Sequence, residues 1–236
     1  MSKQQKIWLF GHHAVTSALK SGKRQSIELW VSDKNISRYQ SLADKTGVRL
    51  RTVGRQELDK LTKQPHQGVA LQVVAGQESN LEDLLSGNLI LALDQVTDPH
   101  NVGACLRSAN AYGASGVVVT ARHSATDSPI IGKAAAGALE DTPLVVVNNL
   151  VQAIEKAQEN GFWVVGLAGE ATQELSQIDL KGKVMVVMGS EGEGLRRLVR
   201  DKCDFLAKLP MVGSVESLNV SVATGISLYE VHKQQN

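Results

Sequence analysis

The sequence predicts an α/β protein in two modules: a small mixed α/β unit, followed by a doubly wound, mainly parallel sheet. Three observations predict it. Short β-rich apolar runs alternate with helix-length stretches along all 236 residues. After residue 88 the runs become almost continuously apolar, the pattern of strands covered on both faces. The charge also changes sign near residue 75, where AGQESNLEDLLSGN interrupts the pattern with small and polar residues. Residues 1–75 carry 13 Lys/Arg against 5 Asp/Glu, a net of +8; residues 76–236 carry 12 against 19, a net of −7, and the two sum to +1. The boundaries expected from these features are 1–75 for a basic domain, 76–88 for a linker and 89–236 for an acidic domain.

In the basic module, IWLF (7–10), IELWV (27–31), VRLRTV (48–53) and GVALQVV (68–74) read as strands. Helices are expected over 12–20, where Ala14, Val15, Ala18 and Leu19 share one face, over 36–45 and over 56–62. The order is β-α-β-α-β-α-β. His12 and His13 are adjacent and point to different sides of a helix, which suits solvation or capping better than a metal. In the acidic module, LILALD (89–94), GVVVT (116–120), PLVVV (143–147), FWVVGL (162–167) and VMVVM (184–188) read as central parallel strands. Helices are expected over 102–112, 130–139, 150–160, 194–201 and 218–231. Ligands of such open sheets sit beyond the carboxyl ends of the strands.

Composition narrows the function. At 42% hydrophobic and 21% charged residues the chain has material for real cores. No apolar run approaches the ~18 residues of a membrane helix, and MSKQQKIWLFGHH lacks the ~7 to 15 residue core of a secretory signal. The expectation is a soluble, cytoplasmic protein. Cys105 and Cys203 lie far apart with no metal-ligand or disulfide spacing and are expected to be small buried side chains. A basic domain of net +8 attracts polyanions by counterion release, so nucleic acid is the leading partner. Aromatics make up only 4% of the chain, which argues against a base-stacking platform.

Three polar or glycine-rich segments follow strand ends in the acidic module. The first, DQVTDPHNVGACLRSA (94–109), offers Asp98 or Asn101 as a helix cap, with Asn101 and Arg107 six residues apart and both expected to face the sheet mouth. The second, MGSEGEGL (188–195), resembles a dinucleotide loop, but its spacing is G-x-x-G-x-G and two carboxylates would repel a pyrophosphate. It suits a cationic or neutral ligand, or an arginine partner for Glu191. That spacing also speaks against a nicotinamide dehydrogenase. In the third, LPMVGSVESLNVSVA (209–223), Ser217 is expected to cap the next helix, with Asn219 and Ser221 in its first turn. Free N–H groups at a helix start serve a ligand.

Taken together and in this order, NVGACLRSANAYGASGVVV, VMGSEGEGLRRL and LPMVGSVESLNVSVATGISLYE resemble the three motifs of the SpoU family of ribose 2'-O-methyltransferases, in the SPOUT superfamily. GHHAVTSALK and HQGVAL in the basic module resemble the substrate-binding domain of the branch that methylates guanosine in 23S rRNA. The resemblance implies a carboxyl-terminal trefoil knot, a feature too rare for sequence pattern to predict. It implies S-adenosylmethionine as cofactor, held at Gly189, Leu209 and Leu218, with Leu167-Ala168-Gly169 as a further knot loop. It implies Asn101, Arg107, Glu191, Ser217 and Asn219 as catalytic residues, large-subunit ribosomal RNA as substrate, a homodimer through the carboxyl-terminal domain, and no metal. Two roles stay open for Arg107: activating the ribose hydroxyl, or clamping a phosphate, since guanidinium holds its proton. The rival readings are a tRNA or resistance-type rRNA ribose methyltransferase, and a noncatalytic RNA-binding assembly factor.

Overall fold

The computed structural model describes residues 5–63, 65–75, 79–121, 129–135, 137–215 and 217–236. They divide into two compact units, Met1–Glu78 with Asp127–Asp141, and Ser79–Thr126 with Thr142–Asn236.

In the first unit, β1 (Lys6–Phe10), α1 (His12–Ser21), β2 (Ser26–Val31), α2 (Ile36–Thr46), β3 (Arg49–Thr52), α3 (Arg55–Leu61) and β4 (Val69–Val74) follow one another as the sequence predicts. The sheet order is β1-β4-β2-β3; β4 runs antiparallel to both neighbours, and β2 and β3 are parallel. One sheet face, with Leu9, Leu29, Leu71 and Val73, is buried with the apolar stripe of α1 and with Tyr39 and Ala43 of α2. On the other face, Leu58 of α3 packs with Phe10, Val53 and Ala70.

The second unit adds α4 (Leu81–Leu84), β5 (Leu89–Leu93), α5 (Pro99–Ala111) and β6 (Gly116–Thr120). The linker expected over 76–88 thus contains a helical turn, capped at Asn80 by the Asp83 N–H. Next comes α6 (Pro129–Ala134), which belongs to the first unit. The single helix expected over 130–139 in the acidic module is instead α6 and a separate 3-10 turn, Ala138–Glu140, entered through Gly137 at φ 92°, where glycine carries no steric penalty. Charge explains the allegiance of this segment. Glu140 pairs with Arg24 at 3.1 Å and Asp141 with Lys23 at 3.0 Å, while Ser17 donates to the Gly137 carbonyl.

The remaining elements are β7 (Leu144–Val147), α7 (Leu150–Glu159), β8 (Trp163–Leu167), β9 (Gln173–Glu174), β10 (Val184–Met188), α8 (Arg197–Arg200), β11 (Phe205–Lys208) and α9 (Val220–Gln235). The strands form one parallel sheet in the order β7-β6-β5-β10-β8-β11-β9. Every residue of β5 and β10 is buried, as their unbroken apolar runs require. The sequence reading did not include β9 or β11. They are two and four residues long, and the apolar run of FLAK, three residues, is too short to stand out.

Three helix starts differ from expectation, α5 beginning at Pro99 rather than 102. The helix expected from 194 is only the turn Arg197–Arg200, because Gly192 and Gly194 both take positive φ and hold 190–194 in a tight hairpin bridged between Ser190 and Gly194. The last helix begins at Val220 rather than 218, so its cap is Asn219, whose Oδ1 accepts from the Ser221 N–H at 2.9 Å; Ser217 lies before the cap and does not fill that role. At α5, Asp98 is the cap and Asn101 lies inside the helix.

Candidate active site

The carboxyl ends of β5, β8, β10 and β11 lead into the segments that the sequence singles out. Among them lies a cleft of about 150 Å³, open to solvent on one side. Its apolar wall includes Leu167, Met188, Ala207, Val220 and Ala223; Glu191 and Lys208 supply charge. Gly189, Glu191, Leu209, Ser217 and Leu218 all line it, as does the turn Leu167-Ala168-Gly169.

Glu191 joins the three segments. Its Oε1 accepts from Asn101 Nδ2 at 3.2 Å, Asn219 Nδ2 at 2.6 Å and the Val220 N–H at 3.3 Å. Asn219 Nδ2 also donates to Asn101 Oδ1 at 3.1 Å, closing a triangle of side chains from α5, the β10 loop and the α9 start. Oε2 of Glu191 has no hydrogen-bond partner among the described residues. The carboxylate thus sits at the positive end of the 16-residue helix α9, where the dipole favours negative charge.

Backbone geometry holds the glutamate loop in place. A Cβ on Gly189 would lie 2.2 Å from the Gly194 carbonyl carbon, so the hairpin closes only with glycine at 189. Where the loop rejoins α8, Asp94 is fully buried and receives the Arg196 N–H at 2.9 Å, Nε at 2.7 Å and Nη2 at 2.6 Å. This pair ties the end of β5 to the end of the glycine loop. Sequence reasoning assigned it no role; the available signal was a carboxylate closing the otherwise apolar run LILALD.

Arg107 stands apart. It is exposed on α5, does not line the cleft, and makes no ion pair among the described residues. Six residues on a helix turn through about 600°, so Asn101 and Arg107 diverge by roughly a third of a turn and do not share one face. Cys105, between them, is buried against Thr224 of α9 at 3.3 Å, and burial pushes its thiol up to about 11. Cys203 is only half-buried in its surface area, yet desolvation with nearby Asp204 and Asp94 pushes it up to about 12.

The cleft suits S-adenosylmethionine. Glycine lets backbone approach the ligand at 189, and the N–H groups of Leu209 and Leu218 make no backbone hydrogen bonds among the described residues, leaving donors at the wall. Apolar walls suit an adenosyl moiety, and a carboxylate tolerates a sulfonium. No cluster able to hold a metal ion occurs among the described residues.

A cleft at the carboxyl ends of a parallel sheet, assembled from these motifs, defines a class of RNA methylase. The chain belongs to the SpoU rRNA Methylase family, whose model matches residues 88–229. A second model, RNA 2'-O ribose methyltransferase substrate binding, matches residues 8–79. Among individual proteins, the chain is 47% identical to the 23S rRNA (guanosine-2'-O-)-methyltransferase RlmB of Pseudomonas putida, and 48% identical to that of Pseudomonas aeruginosa. Both alignments cover 100% of this chain and 98% of the relative. The AdoMet-bound rRNA methyltransferase of Sinorhizobium meliloti superposes with a TM-score of 0.81 at 26% identity, over 97% of this chain and 87% of that one.

Proposed function

We infer that the protein transfers a methyl group from S-adenosylmethionine to the ribose 2'-hydroxyl of a guanosine in 23S rRNA. The observation that carries this reading is the Glu191 junction. It ties all three motif segments together, Asn101 and Asn219 bonding to a glutamate that lines the cleft, in a chain similar over its whole length to guanosine-2'-O-methyltransferases.

The bound cofactor supplies an electrophilic methyl on a cationic sulfur. Everything else falls to the chain. Gly189, Leu209 and Leu218 hold the cofactor through backbone groups and apolar contact. Asn101 and Asn219 fix Glu191 by occupying Oε1, which leaves Oε2 to orient the ribose hydroxyl and take its proton. Ser217, exposed at the rim, is placed to contact the substrate sugar. Fixing these groups in advance is worth orders of magnitude in rate, because in-line transfer demands alignment. Arg107, permanently charged, exposed and without an ion pair among the described residues, is assigned to an RNA phosphate rather than to proton transfer.

Three further assignments belong to this reading. The chain works as a homodimer through its second unit; Val222, Ile226 and Tyr229 leave a stripe of α9 between 44% and 52% exposed. It acts in the cytoplasm, consistent with no helix among the described residues being long and apolar enough to cross a membrane. Its carboxyl-terminal segment is knotted. The placement of β10 between β5 and β8, with α9 returning to pack on α5, supports that topology.

The test is to map 2'-O-methyl groups on 23S rRNA from cells with and without the protein. One guanosine should lose its methyl when the protein is absent and regain it on complementation. An unchanged map overturns the assignment.

A further inference from the structure

The first unit gathers on one sheet face what composition argued against. Pleating places Trp8 and Phe10 of β1, Ala70 and Gln72 of β4, Glu28 and Trp30 of β2, and Arg49 and Arg51 of β3 on the same side, with Trp30 opposite Arg51 and Glu28 opposite Arg49. Leu58 of helix α3 packs with Phe10 and Ala70 at one end of this face, and Trp8 and Trp30 pack partly buried against that cluster. Trp8 and Trp30 remain partly exposed. Their rings meet edge to face at 4.9 Å, and the Arg51 guanidinium lies 4.9 Å from the Trp30 ring centroid. Two of the chain's three tryptophans therefore share one partly exposed surface.

The polar groups hold this surface ready without committing its charges. Trp30 Nε1 donates to Glu28 Oε2 at 2.6 Å, fixing the indole. Arg49 reaches Glu28 only at 3.8 Å and Arg51 reaches Glu57 only at 3.6 Å, with arginine side chains 83% and 49% exposed. Ion pairs this open contribute about 0–1 kcal/mol and yield to a stronger anion.

The geometry points to a base-stacking site: the Trp8–Trp30–Arg51 face of the first unit binds an unpaired nucleotide of the RNA substrate, with Arg49 and Arg51 meeting its phosphates. This rests on the proposed RNA-modifying function and names where the basic unit holds its substrate. The argument for RNA over a protein partner is charge. The surface is built from residues 1–75, which carry a net +8, and indole and guanidinium planes are the groups on which splayed bases stack. A duplex keeps its bases stacked inside and has no use for such a face.

The test uses the full chain carrying Trp163→Phe, which leaves Trp8 and Trp30 as the only tryptophans. Titration with a short single-stranded oligoadenylate should quench their fluorescence, and a hairpin duplex of equal charge should quench far less. Trp8→Ala with Trp30→Ala, in the otherwise native chain, should weaken oligoadenylate binding about tenfold or more by filter binding, as loss of base stacking does. Trp8→Phe with Trp30→Phe should restore most of it. The far-ultraviolet circular dichroism spectrum should be unchanged in both, showing that the first unit is folded, and calorimetric S-adenosylmethionine affinity should be unchanged because its cleft lies in the second unit. Equal quenching by duplex and single strand would overturn the inference. So would an alanine pair that keeps its RNA affinity, or one that instead loses self-association in sedimentation. If the rRNA map is unchanged but the stacking signals appear, the methylation assignment fails and this site stands.

Discussion

The two units of the chain expose their sheets in opposite ways, and that difference decides where each one works. In the second unit the parallel strands β5 and β10 are buried along their whole length, so only the loops beyond the strand ends can meet a ligand. In the first unit the mixed sheet packs helices α1 and α2 on one face and leaves much of the other open, so the strands themselves present side chains. One unit does chemistry at an end; the other grips across a face. Charge follows the same division, with net −7 over residues 76–236, which include a cleft for a cationic cofactor, and net +8 over the residues 1–75 that offer the RNA-facing sheet.

The sharpest way to break the comparison is to spoil the strand-end loops alone. Gly189→Ala forces a Cβ against the Gly194 carbonyl carbon and should cost about 3 kcal/mol at the loop, seen by calorimetry as a loss of about a hundredfold in S-adenosylmethionine affinity. Oligoadenylate binding by the first unit should survive. Asn219→Ala removes one donor from Glu191 and the cap of α9. Single-turnover methyl transfer should fall about a hundredfold through misplacement of the glutamate, and denaturant melts should report about 1 kcal/mol of lost stability from the cap.

Asp94→Asn probes the support beneath the loop. Breaking a buried pair costs about 3–5 kcal/mol, but Arg196 is 44% exposed and keeps solvent as a partner, so about 2 kcal/mol is expected. Transfer should fall with kcat while the RNA dissociation constant holds. A smaller effect concerns the thiols. With Cys105 pushed up to about 11 and Cys203 to about 12, neither should react appreciably with a disulfide reagent at pH 8 until denaturant exposes both.

The smallest effect belongs to the first unit. Burial, then the charges of Arg38 and His13, hold the His12 imidazole below its ordinary 6.5, where it shares a 2.9 Å hydrogen bond with Tyr39. Below that value the unfolded chain binds the proton that the folded one refuses. The contribution is therefore complete above 6.5 and fades as pH falls through it. Melts of the first unit should weaken slightly from pH 7 to pH 5, and His12→Asn should flatten that slope.

Much of this was legible in the sequence, and the failures have physical causes. Unbroken apolar runs located β5, β6, β8 and β10, since strands buried on both faces leave no polar residue to blur them. The short β9 and β11 carry no such signal because pairing with neighbours, not their own composition, makes them strands. Ser217 and Asn219 are both good caps by type. Only the fold, which aims Asn219 at Glu191, decides between them. The Trp8–Trp30 face escaped a compositional argument because a percentage counts aromatics and a sheet register gathers them.

The central claim is that the strand-end cleft delivers a methyl group to a ribose oxygen. The most direct measurement incubates purified protein with 23S rRNA and S-adenosylmethionine labelled in its methyl group, then digests the RNA to nucleosides. The account predicts that the label elutes with 2'-O-methylguanosine and is lost with Glu191→Gln. Label on a base, on another ribose, or on no nucleoside would contradict it.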